Sequence, residues 1–171
     1  LKGPNNEKSY FANKFFPICA RLMWDVQEVP GWGEAQNTEE EEEEGEEMQN
    51  SDMGETALDR VTQALGLRST FAVISSQLSG LLGSAVWQHQ RAGLRIMGNY
   101  LEVSARITDK NQLIQHRGDV ANTLSNFTKN SHIQIRAAAY YAICQLFVMQ
   151  GRDLSAAVTE QLLGVLLSGI T

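Results

Sequence analysis

The stretch Asn130 to Met149 (NSHIQIRAAAYYAICQLFVM) constrains the fold more than any other part of the chain. Its apolar residues fall on two faces of a helix. Ile133, Ala137, Tyr140, Cys144 and Phe147 form one stripe; Ile135, Ala139, Ala142, Leu146 and Met149 form the other. Gln134, Gln145 and Gln150 mark the narrow polar strip between them. A helix that is apolar on two sides must be packed on two sides. The run Ala137-Ala138-Ala139 lets neighbouring backbones approach closely. Such a helix suits the inner layer of a stack better than the rim of a small bundle.

The pattern occurs once more upstream. Val86 to Val103 carries apolar residues at Val86, Leu94, Met97 and Leu101, with Ile96, Tyr100 and Val103 beside them. Ala92-Gly93 falls 46 residues before Ala138-Ala139, and Arg91 falls 45 before Arg136. One supersecondary unit recurring at a period in the forties predicts an all-α HEAT-repeat, armadillo-like solenoid. The expected architecture is a fragment of a right-handed superhelix interrupted by an acidic loop.

The expected units follow from the punctuation. Residues 1–30 hold a polar terminal segment and an outer helix with Phe11, Phe15, Ile18, Leu22 and Val26 at helical spacing. Pro17 should start or kink that helix near Phe16, and Pro30-Gly31 should end it. Residues 31–54 form the acidic low-complexity loop and 55–68 the inner helix of the first repeat. There Thr56 to Asp59 resembles a capping box, and Gly66 stops the helix. Residues 69–107 form the second repeat. Ser69 or Thr70 caps its first helix, which carries Phe71, Ile74, Leu78, Leu81 and Leu82. Residues 108–150 form the third, with a helix over 111–128 before the one described above. Residues 151–171 open a further repeat capped by Asp153. The chain reads as a piece of a longer one whose end pairs leave apolar surface uncovered.

Charge is distributed unevenly. Residues 34–59 hold 12 acids and no base, whereas the remainder has 8 acids against 14 bases. Glu39, Glu40, Glu41, Glu42, Glu43, Glu44, Glu46 and Glu47 repel one another and cannot bury a core, so a disordered or extended loop is expected. Such a run is either a solvated spacer or a docking surface for a basic partner. Nucleic acid is excluded as its partner because phosphates would be repelled. No apolar run is long enough to span a membrane, and no signal peptide is visible. Cys19 and Cys144 each sit in an apolar helix pattern, which predicts buried free thiols in a reducing compartment.

Catalytic signals are missing from the sequence. His89, His116 and His132 lack metal-ligand spacing to one another or to either cysteine. There is no Gly-rich phosphate loop and no nucleophile–base arrangement. Asn126-Phe127-Thr128 matches a glycosylation acceptor but lies within a predicted helix. The glutamate run lacks the alternating ligands of a calcium loop. The expectation is a binding protein without catalytic residues, metal or cofactor.

A resemblance narrows this. Phe16 to Asp25 (FPICARLMWD), an acidic insertion, Gly54 to Arg60 (GETALDR), Trp87 followed by Arg91-Ala-Gly-Leu94, and His132 to Ala139 (HIQIRAAA) occur in that order. The order is similar to the middle of the importin-β (karyopherin-β) nuclear transport receptors, most closely the importin-beta-three branch, over roughly residues 15–168. The resemblance implies a superhelix that holds cargo bearing a basic localisation signal and releases it to Ran-GTP. It further implies movement between cytoplasm and nucleus and contact with nucleoporin Phe-Gly repeats. By resemblance, residues 34–52 occupy an acidic loop that touches Ran, and the helices at 55–65, 86–103 and 133–149 are the inner ones.

The sequence departs from the family pattern at the Asp–Arg ladder that usually links such repeats. Arg136 matches the Arg, but the Asp position is Asn130, and upstream Gln90 holds the ladder position. Helical geometry places Gln88, Arg91, Arg95, Asn99 and Glu102 on the stripe facing the concave groove. Shifted by 46, Arg95 and Asn99 become Tyr141 and Gln145. A solvated stripe or one packed on the next turn is the plainer reading, and Trp87 reads as a packing residue. A HEAT scaffold of the phosphatase or chromosome-organisation type, or an acidic histone-chaperone-like module, are the competing functions.

Overall fold

In the computed structural model, which describes residues 4–28, 49–106, 116–150 and 154–169, every regular element is a helix. They are α1 (Pro4–Trp24), α2 (Asn50–Leu65), α3 (Leu67–Leu82), α4 (Trp87–Arg106), α5 (Arg117–Phe127), α6 (Ile133–Gln150) and α7 (Ala156–Ser168). Consecutive helices pair as α1/α2, α3/α4 and α5/α6, and α7 packs against α5. The second helices of the pairs, α2, α4 and α6, lie side by side, with the α4–α6 contact the most extensive. This is the stacked helix-pair layout of a HEAT-repeat fragment.

The core runs continuously through the stack. Phe16, Cys19 and Met23 of α1 meet Leu58 of α2; Ile96, Leu101 and Val103 of α4 and Ile135, Ala139, Ile143 and Leu146 of α6 continue it. Helices pack closely where small residues permit it. A Cβ on Gly54 would lie 2.8 Å from the Cys19 carbonyl oxygen, and one on Gly93 2.9 Å from Leu82 Cδ2.

Several local expectations are corrected. Pro17 neither starts nor breaks α1, which runs through it. An interior proline costs about 3 kcal/mol, but Ala12 and Phe16 before it and Cys19, Ala20 and Met23 after it are all buried, and that packing holds one helix. The first inner helix begins at Asn50, inside the segment expected as loop, because Ser51 and Gly54 are buried. Thr56 is therefore mid-helix. Asp52 occupies the first turn, where a negative charge favours the helix dipole. Gly66, at φ +83°, ends α2 as expected and also starts α3, so neither Ser69 nor Thr70 is the cap.

The last helix is capped by Ser155, whose Oγ accepts from the Val158 amide at 3.4 Å. Residues 151–153, including the expected cap Asp153, lie outside the described residues. The same holds for 107–115, so the third repeat's first helix is described only from Arg117. Of the cysteines, Cys19 is buried and Cys144 exposed, which corrects the expectation for Cys144. The first stripe on α6 is likewise not sealed: Ile133 is 39% exposed and Cys144 is exposed as well, as is Val148 beside them.

Candidate partner-binding face

Two of the inner helices, α4 and α6, are clamped at their starts by a repeated device. In the second repeat Gln90 Nε2 donates to the Ser84 carbonyl at 2.7 Å, and the Val86 amide donates to Ser84 Oγ at 3.1 Å. In the third, Arg136 Nη1 donates to the Asn130 carbonyl at 3.0 Å, and the His132 amide donates to Asn130 Oδ1 at 2.9 Å. Each participant in one set stands 46 residues from its counterpart in the other. Arg136 also donates to the Ser131 carbonyl at 2.8 Å. The ladder position thus holds its own turn instead of joining neighbouring repeats.

Joining is done lower on the helices. Arg95 Nη2 on α4 lies 2.6 Å from Glu55 Oε2 on α2, and Nε is 3.2 Å from the same oxygen. The Arg95 guanidinium carbon stands 3.8 Å from the centre of the Tyr141 ring on α6. Tyr141 OH in turn donates to Glu55 Oε1 at 3.4 Å. Three successive inner helices are therefore tied by one acid, one guanidinium and one phenol. Arg95 and Glu55 are partly exposed, at 27% and 19% of their side chains. Burial, and then the Glu55 carboxylate, push the Tyr141 phenol up, with Arg95 opposing. Arg91 is lowered, first by burial and then by Arg95, with Glu55 and Asp52 opposing.

Of the concave-face residues inferred from the sequence, Gln88, Arg91, Arg95, Glu102, Tyr141 and Gln145 are partly exposed. Asn99 is not: it is 5% exposed, and its Oδ1 has no hydrogen-bond partner among the described residues. The structure brings Arg95 and Tyr141 into direct contact. Glu55, the acid between them, was missed; its position on the inner helix, 40 residues before Arg95, was the available signal.

Aromatic–imidazole pairs line the edge where the inner helices begin. Trp87 stacks on His132 at 4.2 Å between centroids and 18° between planes, as a packing residue. Trp24 meets His89 at 4.4 Å. Glu28 Oε1 comes within 3.8 Å of His132 Nε2, and Asn50 Nδ2 donates to Asp25 Oδ2 at 2.7 Å. Both flanks of the acidic segment are thus anchored at this edge. Glu39 to Glu44, Glu46 and Glu47 themselves lie outside the described residues.

A cleft of about 310 Å³ opens between α3, α4 and α5. Phe71, Leu78, Met97, Tyr100, His116 and Val120 line it. Its walls are largely apolar.

Residues 5–71 match the importin repeat family. The match spans α1, the acidic segment, α2 and the start of α3. No match appears among curated proteins. Over its first helix pair, then, this all-α HEAT-repeat chain is similar to importin repeats.

Proposed function

We propose that the chain is part of a nuclear import receptor of the importin-β kind, close to its importin-beta-three branch. The observation that carries this reading is the importin-repeat match, which spans the acidic insertion and the helix on each side of it. The anchored flanks add support, since Asp25, Glu28 and Asn50 fix where that insertion leaves the stack. In this reading Glu39 to Glu44, Glu46 and Glu47 meet Ran-GTP or a basic partner. Cargo with a basic localisation signal lies along α2, α4 and α6, over Gln88, Arg91, Arg95, Glu102, Tyr141 and Gln145. Nucleoporin Phe-Gly repeats are assigned to the apolar cleft beside Phe71 and Tyr100, which has the walls an aromatic ring requires. The protein works without catalysis, in cytoplasm and nucleus.

The test is binding of Ran carrying a non-hydrolysable GTP analogue, measured with Glu39–Glu47 intact and with that stretch replaced by a Gly/Ser linker. Nucleotide-dependent, salt-sensitive binding that weakens on replacement supports the reading. Binding unchanged by replacement reduces the segment to a spacer. Absence of binding by the folded protein favours a scaffold of another kind.

A further inference from the structure

Glu55, Arg95 and Tyr141 complete one another across α2, α4 and α6: the guanidinium meets both the carboxylate and the ring. One turn earlier on the same three helices, four residues back on each, stand Ser51, Arg91 and Ala137. The guanidinium is repeated there and its companions are not. Ser51 is buried and uncharged, and Ala137 offers only a methyl group. Arg91 is partly buried, yet its guanidinium makes no hydrogen bond or ion pair among the described residues.

The acids nearby do not fill the gap. Both Glu55 oxygens are engaged, one by Arg95 and the other by Tyr141. Asp52 acts on Arg91 only through space and stays exposed in the first turn of α2. Arg95, one turn on, repels Arg91. A charge drawn partly out of water without a partner is unfavourable, so the position gains from an anion brought from outside. Gln88, on the same stripe of α4, keeps its amide without a partner among the described residues and can donate to that anion. A carboxylate suits the place better than a phosphate, because Asp52 and Glu55 would repel the second negative charge.

We propose that Arg91 receives a carboxylate from a protein partner lying across α2, α4 and α6. The inner face then selects its partner by a charge pattern. Asp52 and Asp59 flank Glu55 on one face of α2 and favour bases, whereas Arg91 on α4 requires an acid beside them. A segment carrying bases alone leaves Arg91 unpaired. The proposal rests on the reading of the inner helices as the partner-binding surface, and it adds an acidic side chain to the basic signal expected there. It involves neither Ran nor the acidic segment, so its failure is distinct from failure of the Ran-binding test.

Two measurements on the whole chain test this. In the first, the arginine Nε–H signals are followed by NMR as the blocked peptide Lys-Gly-Glu-Gly-Lys is added, with Lys-Gly-Gln-Gly-Lys and inorganic phosphate as comparisons at equal ionic strength. Arg91→Gln identifies the Arg91 signal by its loss. The Glu peptide should move Arg91 more than it moves Arg95 or the exposed Arg21 and Arg60, and the Gln peptide should not. A shift shared by all the arginines, no shift at Arg91, or a larger response to phosphate overturns the proposal. In the second, denaturation midpoints are compared. Arg95→Gln should lower the midpoint, because it breaks contacts made within the chain, whereas Arg91→Gln should leave it unchanged or raise it. A loss at Arg91 equal to that at Arg95 reveals an internal partner and overturns the proposal as well.

Discussion

Gln90 and Arg136 make the same bond one repeat apart: each reaches back six residues to a turn carbonyl, at 2.7 Å and 3.0 Å. The two side chains differ in charge and shape, so the shared property is a long arm ending in a donor. Removing either leaves a turn carbonyl without that donor. Gln90→Ala should cost about 1 kcal/mol, the usual net worth of a neutral hydrogen bond, and Arg136→Ala about 1.5–3 kcal/mol because its donor is charged. Arg136→Gln should recover much of the loss. Chemical denaturation of the three variants checks this; equal losses for Arg136→Gln and Arg136→Ala would count against the shared clamp.

Gly98→Ala sets two effects against each other. Alanine is favoured over glycine in a helix by about 1 kcal/mol. Against that, the new methyl would stand 2.7 Å from Tyr141 Cε1 and 2.9 Å from Cδ1. The ring is held between the Arg95 guanidinium and Glu55, so it cannot retreat without breaking both contacts. Overpacking of this kind costs roughly 1–3 kcal/mol, and the substitution should destabilise. In a Tyr141→Ala background the obstruction is gone and Gly98→Ala should stabilise. That reversal of sign, read from denaturation midpoints, is the decisive observation.

Alkaline pH should weaken the fold through one buried and one partly buried phenol. Burial pushes the Tyr100 hydroxyl well above its ordinary value, and burial followed by Glu55 raises Tyr141, with Arg95 opposing. A raised folded value means the native state keeps a proton that the unfolded chain releases. This contribution is whole below the unfolded tyrosine value of about 10 and is lost as pH rises through the folded one. Stability should fall from pH 9 upward, and Tyr100→Phe should flatten the decline. If the variant declines as steeply as the unaltered chain, the loss arises elsewhere.

Periodicity made the stack legible, because the 46-residue offset between Ala92-Gly93 and Ala138-Ala139 corresponds to equivalent positions on α4 and α6. The same offset led from Arg95 to Tyr141, which touch. It could not place Glu55, since one carboxylate on a helix face does not declare its partner. Nor could it distinguish Asn99 from its neighbours on the polar stripe: the residue lies one turn beyond Arg95 yet is buried. Local rules failed where tertiary contact prevailed. Pro17 should have interrupted α1, and the acidic composition around Asn50 should have delayed α2. In both places burial, of Phe16 and Cys19 or of Ser51 and Gly54, holds the helix.

The two thiols provide a direct check on which face of each helix is covered. Cys19 is buried, and burial pushes its thiol up, away from the reactive thiolate. Cys144 is exposed on the α6 stripe. A thiol-specific reagent at neutral pH should modify Cys144 in the native state and reach Cys19 only as the protein unfolds. Denaturant should therefore release a second, slower phase of labelling, and Cys144→Ser should abolish the first phase alone. If both thiols react at one rate in the folded protein, α1 does not pack as described. If neither reacts, the face of α6 that carries Cys144 is covered.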